Sequence, residues 1–468
     1  MSGIAIGNGH LVGRVPSLRP LTKEYRIRQL MAPVSSTAVA GRTAFVHFAV
    51  GCDGYDPVSV YRAVGGTGST AIEQQSRRMS ESQTERVVQR LATLRDRVET
   101  GMDRREFVRT LVSGGFAVGM AQWLGVDDFL AADDGEVPVV TALVRDDPAD
   151  PWSIRERTRH VPAEWYAAVT KAFELNELLA RVAFTGYLGS AVIPGDYESS
   201  TATVSVGVSS DGHSLVDMVT DVAEGIDIDT ETIIDVEEIQ EGPESREPRF
   251  ADATSDGPVP SGVACETPTS MATLGPALYH PDGQRQFFVT ADHAFGERHD
   301  STDDALFLPR QDTDPLELGT VVHYHPLEDV AAVEPNSWVE PASRIDAPSS
   351  PRVCGQFTRF GLADLVARGE ELEKVGALSG HTTGRIQGID AVTCFTDDFC
   401  RRGQIRWGGE MDLTDGDSGS VSYHSDPQGE EEDVLVAGFN NARTWWPGQS
   451  YVWGVGAYRL TEKHGYHF

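Results

Sequence analysis

The sequence predicts an all-β domain that follows a small α/β unit. From residue 262 onward, short apolar runs are separated by Gly, Asp and Pro, which is typical of antiparallel β-domains. Before this region, apolar residues between Ala163 and Ala183 recur at helical spacing. Two strand-like runs, TATVSVGV and TETIIDVEEI, follow the helical pattern and complete the predicted α/β unit.

Length and charge limit both the architecture and the partners. At 468 residues and a net charge of -32, the chain is too long for one ordinary domain and too acidic to present a basic face to nucleic acid. Arginine carries nearly all the positive charge, since lysine occurs only at Lys23, Lys171, Lys374 and Lys463. This balance resembles proteins of salt-loving archaea, in which molar salt screens self-repulsion over about 3 Å. An ordinary acidic protein is the alternative.

Residues 102–126 resemble a twin-arginine export signal. Arg104 and Arg105 precede an apolar stretch that contains glycines and is too short to favour a spanning helix. The resemblance implies the twin-arginine export machinery as a partner and a secreted or cell-surface location, with no transmembrane helix after processing. An ordinary helix start is the alternative. The internal position of the segment counts against a signal, because export signals belong at the N-terminus.

The segment before the signal, residues 1–101, is an N-terminal extension. Residues 1–78 hold nine Arg or Lys against four Asp or Glu, unlike the acidic remainder. This contrast indicates a misplaced start, with Met79 or Met102 as the true initiator, and a genuine basic extension is the alternative. Beyond the signal we expect the α/β unit over 127–242, with a Pro-containing linker ahead of its helix, an exposed linker over 243–261 and the β-domain over 262–468.

Strands and one inserted helix are expected within the β-domain. The strand candidates are QFFVTA, TVVHYH, TGRIQGI, EDVLVAGF and YVWGVGAY. The run GLADLVARGEELEKV has helical spacing and is expected to insert between strands.

Four of the five cysteines lie in the second half of the chain, at Cys265, Cys354, Cys394 and Cys400. Two bridges and four free thiols are both compatible with the sequence. Cys394 and Cys400 enclose only FTDDF, so a disulfide between them needs the chain to turn back on itself. An oxidising location favours that bridge.

The most specific motif is DGDSGS, residues 415–420. Peptide hydrolysis by a serine needs a hydroxyl on a tight turn, with backbone N–H groups beside it to bind the oxyanion. Ser418 is the candidate nucleophile, and the amides of Gly416 and Ser418 are the candidate oxyanion donors. Asp417 is expected to be a buried acid that holds the loop.

Two further motifs supply a base and an acid. In FFVTADHAFG an apolar strand leads into a turn that carries His293, a candidate general base. In HPLEDVAAVEP, Asp329 begins an apolar run and could orient the imidazole while ionised. The chain order His293, Asp329, Ser418 differs from the order in subtilisins and α/β-hydrolases.

These blocks resemble the trypsin and chymotrypsin superfamily over about residues 262–460. TADH resembles its T-A-A-H block, DVAAVEP its D-I-A-x-V block, and GDSGS its G-D-S-G-G block. The resemblance implies two six-stranded antiparallel barrels with the triad in the cleft between them, and a serine endopeptidase acting on proteins or peptides without cofactor or metal. A non-catalytic, protease-like module that binds peptides or cell-surface partners is the alternative.

A fourth block resembles a bacterial branch of this superfamily. KVGALSGHTTGRIQGI, residues 374–389, is similar to the K-x-G-x-T-T-G-x-x-x-G strands of streptogrisins, α-lytic protease and glutamyl endopeptidases, apart from extra residues before His381. Such enzymes are often made with a pro-region as zymogens, which implies that role for the α/β unit. An unrelated accessory domain is equally compatible.

The resemblance also implies a specificity residue. Asp412, six residues before the serine, would lie at the base of the primary pocket and select Arg or Lys. A solvated loop acid is the alternative. His323 and His325 share one strand face, but no third ligand follows at a recognised spacing, so we predict solvated strand histidines without a metal.

Overall fold

A computed structural model describes residues 135–182, 187–208, 227–232, 247–251, 257–296, 304–311, 313–396, 399–443 and 450–468. The extension, Arg104 and Arg105 lie outside the described residues, so export, the start site and the halophilic origin stay predictions. None of the described helices combines the length and apolarity needed to cross a membrane.

The first described segment contains one long helix and five strands. They are β1 (Glu136–Arg145), β2 (Ile154–Pro162), α1 (Ala163–Val182), β3 (Tyr187–Pro194), β4 (Ala202–Val208) and β5 (Asp227–Thr232). Helix α1 and strand β4 match the predicted patterns, whereas the run TETIIDVEEI is described only as far as Thr232. The Pro-containing linker expected before the helix is wrong, because β1 and β2 occupy it. Pro138 is tolerated there because, among the described strands, this half of β1 pairs only with β2, on one side.

The second segment consists of short strands around a turn of 3-10 helix. They are β6 (Val259–Ser261), β7 (Ala264–Glu266), β8 (Met271–Thr273), β9 (Leu278–His280), β10 (Arg285–Thr290), β11 (Ala305–Leu308), β12 (Leu316–His325), β13 (Val330–Pro335) and β14 (Pro341–Ile345). Seven of them form an antiparallel sheet in the order β8-β7-β11-β12-β13-β10-β9. A core of its own lies inside this segment and includes Val263, Phe288, Leu306 and Val333.

The third segment begins with β15 (Arg352–Phe357) and α2 (Arg359–Arg368). It continues with β16 (Glu371–Gly376), β17 (Gly380–Thr396), β18 (Phe399–Trp407), β19 (Val421–Ser425), β20 (Asp433–Arg443), β21 (Val452–Gly456) and α3 (Ala457–His464). These strands belong to a 14-stranded sheet whose main order is β2-β1-β15-β20-β19-β16-β17-β3-β4-β5. The described residues are thus mostly β, while the two-barrel arrangement stays a prediction.

Two expected elements end earlier than their patterns suggested. Helix α2 stops at Arg368, because Gly369 adopts a left-handed conformation with φ +72° and its N–H donates to Leu365 O and Val366 O. Strand β16 then begins at Glu371, so GLADLVARGEELEKV is a helix followed by a strand. Similarly, the strand in YVWGVGAY ends at Gly456, where α3 begins.

The α/β segment shares both sheet and core with the third segment. Strand β1 pairs with β15, and β3 pairs with β17, where Val192 lies opposite Ile389. Trp165 and Val169 of α1 belong to the same buried cluster as Leu362 of α2. The described part of the predicted 243–261 linker is also bonded to the β-domain, since β6 pairs with β14 and Arg249 N donates to Ala377 O at 2.9 Å. The predicted domain boundaries stay predictions.

Candidate active site

Strand β10 delivers His293 to the surface of the described structure. Phe287, Phe288 and Val289 are fully buried, which anchors the strand in two cores. The strand ends at Thr290, and the 3-10 turn Asp292–Phe295 carries His293. The imidazole is 48 % exposed, so its outer face is open to a second reactant.

Asp329 holds this imidazole in place from its buried side. It lies between β12 and β13 with a φ of +59°, and its side chain is 1 % exposed. One carboxylate oxygen, Oδ1, accepts the backbone N–H of His293 at 2.9 Å, and Oδ2 lies 2.8 Å from Nδ1. Since an ionised carboxylate only accepts, Nδ1 donates and Nε2 is left as a base.

Charges around the pair set its protonation. Burial would raise the pKa of Asp329, but His293 and Arg401 hold it below its usual value. Burial would likewise lower the pKa of His293, but Asp329 raises it above its usual value, with a smaller contribution from Asp292 and opposition from Arg401. Asp329 therefore stays ionised and strengthens the basicity of the imidazole.

Ser418 lies on a turn packed against the end of β10. A Cβ on Gly419 would lie 2.2 Å from Thr273 O and 3.2 Å from Ala291 N, so only glycine fits there. The Ser418 hydroxyl donates to Asn441 O at 3.4 Å, and within the described residues no hydrogen bond joins it to His293. The structure therefore brings the turn to the strand end that carries His293, with the hydroxyl facing Asn441 O.

The backbone of this turn leaves two amides for a ligand. Neighbouring amides are used, because Asp417 N donates to Thr414 O and Gly419 N to Asn440 O. In the part of the chain that the structure describes, the amides of Gly416 and Ser418 have no acceptor. Gly416 has a φ of +97°, a conformation that glycine adopts without strain. These two amides are the ones expected to bind an oxyanion.

Asp417 holds the turn through an ion pair that the sequence analysis did not predict. Its Oδ2 lies 3.1 Å from Lys374 Nζ, and both side chains are completely buried. The amides of Leu378 and Ser379 donate to Oδ1, and the amide of Thr414 donates to Oδ2, at 2.9, 3.1 and 3.0 Å. Burial would raise the pKa of Asp417, but Lys374 and these donors lower it. The two residues are separated by 43 positions, and neither carries a local sign of this pairing.

The extra residues in the fourth block take part in this support. They form the turn between β16 and β17, after Gly376 and before Gly380. Leu378 and Ser379, which donate to Asp417, belong to that turn. The departure from the bacterial pattern therefore lies where it contacts the turn that carries Ser418.

Asp412 ends the short 3-10 turn Glu410–Asp412. Its Oδ2 accepts the amide of Gly409 at 2.7 Å, and its backbone oxygen accepts the hydroxyl of Thr382 at 3.1 Å. These bonds stabilise its own turn, so the pocket role stays a prediction.

Cysteines and histidines complete the candidate residues. The structure contains a disulfide between Cys394 and Cys400, which lie opposite each other in β17 and β18, while Cys265 and Cys354 are buried free thiols.

His325 is not a solvated strand histidine, because the centroid of its ring lies 3.9 Å from that of His464 and burial lowers its pKa to about 4. Among the described residues, no group of three or more His, Cys, Asp or Glu could hold a metal ion.

Several solved structures are similar to part of this chain. A glutamic acid-specific serine protease shares 15 % identity over 44 % of this chain and 98 % of its own, with a TM-score of 0.33. A chymotrypsin from Cellulomonas bogoriensis shares 18 % identity over 44 % and 96 %, with a TM-score of 0.30. The protease domain of MamO from Magnetospirillum magneticum shares 12 % identity over 42 % and 93 %, with a TM-score of 0.28. No protein-family model and no curated protein matches the chain.

Proposed function

We propose that this chain is a serine endopeptidase in which His293, Asp329 and Ser418 form the catalytic triad. The observation that carries the proposal is the pair of hydrogen bonds between Asp329 and His293. The carboxylate accepts the backbone N–H of His293 at 2.9 Å and the ring Nδ1–H at 2.8 Å. A buried carboxylate in that arrangement selects the tautomer whose Nε2 can accept a proton. The amides of Gly416 and Ser418, which have no acceptor among the described residues, support the same chemistry.

The reaction begins when the Ser418 hydroxyl turns from Asn441 O towards His293 Nε2. The imidazole takes the hydroxyl proton as Oγ attacks the scissile carbonyl, and the amides of Gly416 and Ser418 bind the resulting oxyanion. His293 then gives the proton to the amine of the cleaved peptide bond, the amine departs, and the acyl-enzyme remains. Water deacylates it by the reverse use of the same base.

Finer features belong to this proposal. The contact of the Lys374 block with Asp417 supports a relationship with the bacterial branch, because a motif residue acts directly on the nucleophile turn. Selection of Arg or Lys by Asp412, and export through Arg104 and Arg105, complete the proposed function as an exported protease.

Labelling with a fluorophosphonate tests the proposal directly, because the reagent modifies activated serines. We expect one adduct, which tryptic mass mapping places on the peptide that contains Ser418. His293→Ala should abolish the adduct. The matched control is His381→Ala, since the side chain of His381 is also 48 % exposed but bonds Glu373 on a different hairpin. An unlabelled wild-type chain would indicate a protease-like binding module instead.

The pH dependence of hydrolysis should reflect the raised pKa of His293. A general base must be neutral, so kcat/KM should fall as pH drops through a pKa above the usual value of about 6.5. Peptide hydrolysis measured from about pH 5 to pH 9 gives this acid limb. A limb that lies clearly below pH 6 would contradict the assignment of His293 as a base raised by Asp329.

A further inference from the structure

An arginine outside the predicted triad contacts the catalytic carboxylate. Arg401 lies in β18 directly after Cys400 of the disulfide. Its Nη1 donates to Asp329 Oδ2 at 2.9 Å. The side chains of Arg401 and Asp329 are 11 % and 1 % exposed, so solvent screens this pair little. The same oxygen accepts Nδ1 of His293. A fixed cation therefore shares the acceptor that orients the imidazole.

The next residue faces the opposite way and contacts the α/β segment. Successive side chains of a strand point to opposite faces of the sheet. Arg402 Nη2 donates to Ala180 O at 2.9 Å, in the last turn of α1. Carbonyls in the last turn of a helix lack intrahelical partners, and a cation is favourable there. The two arginines thus connect Asp329 on one side of β18 with α1 on the other.

Strand pairing holds the same end of the hairpin. Thr393 of β17 lies opposite Arg401 of β18 and also opposite Gly189 of β3. The disulfide joins the adjacent pair, Cys394 and Cys400. A Cβ on Gly189 would lie 2.2 Å from Val392 O, so β3 approaches β17 as closely as only glycine allows. The backbone of Arg401 is fixed by β17, and β17 is fixed by β3.

We propose that Arg401 is a positioning residue for Asp329 and His293, and that α1 and β3 hold in place the β17–β18 hairpin that carries it. This assignment rests on the proposed function, because it concerns the same triad. The α/β segment then supports catalysis from a distance without touching substrate.

The charge of Arg401 predicts the direction of its effect. The charged groups that act on His293 are Asp329 and Asp292, which raise its pKa, and Arg401, which lowers it. Removing the guanidinium should therefore raise the pKa of His293 further. Because the base must be neutral, the acid limb of kcat/KM should move to higher pH.

Variants of Arg401 in the full chain test the first half. Arg401→Gln should move the acid limb up by roughly 0.5 to 1 pH unit. It should also lower kcat roughly 10- to 100-fold with little change in KM, because the triad geometry loosens. Arg401→Lys keeps the charge and should restore the limb. The matched control is Arg385→Gln on β17, whose side chain is 73 % exposed and should leave both parameters unchanged. An unchanged limb and kcat in Arg401→Gln would overturn the positioning role.

The second half is tested on the α/β side of the hairpin. Gly189→Ala should push β3 away from β17 and move the acid limb in the same direction as Arg401→Gln. Arg402→Gln serves as a milder variant that keeps every glycine and should show a smaller shift. If Arg402→Gln and any folded Gly189→Ala protein keep the wild-type limb, the link to the α/β segment is wrong.

A titration of the His293 ring by NMR separates this inference from the proposed function. It is performed on the full chain with Ser418→Ala, with and without Arg401→Gln, and needs no activity. A higher His293 pKa in the Arg401→Gln protein supports the positioning role even if wild type fails to label with fluorophosphonate. Equal pKa values would refute it even if the wild-type chain is an active protease.

Discussion

Ser418→Ala is expected to abolish peptide hydrolysis, with a loss of about 10⁴-fold or more in kcat. Without the hydroxyl no acyl-enzyme forms, and only the oxyanion donors and substrate binding remain. Stability should change by less than about 1 kcal/mol, since among the described residues the hydroxyl makes one long hydrogen bond, of 3.4 Å to Asn441 O. Casein and peptide hydrolysis, together with thermal unfolding, measure both effects.

The matched control for this variant is Ser425→Ala. Ser425 ends β19, is exposed and lies outside the nucleophile turn. It should hydrolyse peptides at the wild-type rate. Hydrolysis that persists in Ser418→Ala, with the control unchanged, would remove Ser418 and the triad from the proposed function.

Lys374→Met should destabilise the folded chain by about 3 to 5 kcal/mol. Both side chains of the Lys374–Asp417 pair are completely buried, so the change leaves a carboxylate without its cation and without water. Hydrolysis should fall as well, because Asp417 holds the turn of Ser418. Denaturant unfolding measures the loss as a shift of the midpoint.

Lys463→Met provides the comparison for the buried lysine. Lys463 is exposed in the last turn of α3, and the same chemical change there should cost less than about 0.5 kcal/mol. A cost below about 1 kcal/mol for Lys374→Met would mean that the three amide donors alone satisfy Asp417.

Local patterns of apolar residues predicted those helices and strands that can be recognised without knowing which strands they pair with. The apolar run of β10 and the spacing of α1 were sufficient, because a strand buried on both faces is continuously apolar, whereas a helix buried on one face is apolar at regular intervals. Strand β2, IRERTRHVP, was missed because it lies at an edge of the described sheet and buries only one of its nine side chains, so it lacks an apolar pattern. The end of α2 was missed because the left-handed Gly369 stands inside an otherwise helical pattern.

The candidate site was predicted only where a motif is continuous in sequence. His293, Asp329 and Ser418 each lie in a short block whose neighbours indicate the proposed chemistry. The contacts of Arg401 with Asp329 and of Lys374 with Asp417 span 72 and 43 residues, and neither arginine nor lysine carries a local sign of its partner. Such pairs follow from the sheet topology, which the sequence alone did not supply.

The joining of β1 to β15 has a consequence for folding. The hydroxyl of Thr358 donates to Val140 O across a separation of 218 residues, beside the pairing of these two strands. On the ribosome, β1 emerges long before its partner exists, and its outer edge stays without a template until β15 is made. Contacts of such high order slow folding, because loop-closure entropy is lost before pairing compensates for it. Strand β1, the earliest described strand, is therefore among the last to complete its pairing. Until β15 is made, the apolar residues of β1 must be kept from aggregating in the nascent chain.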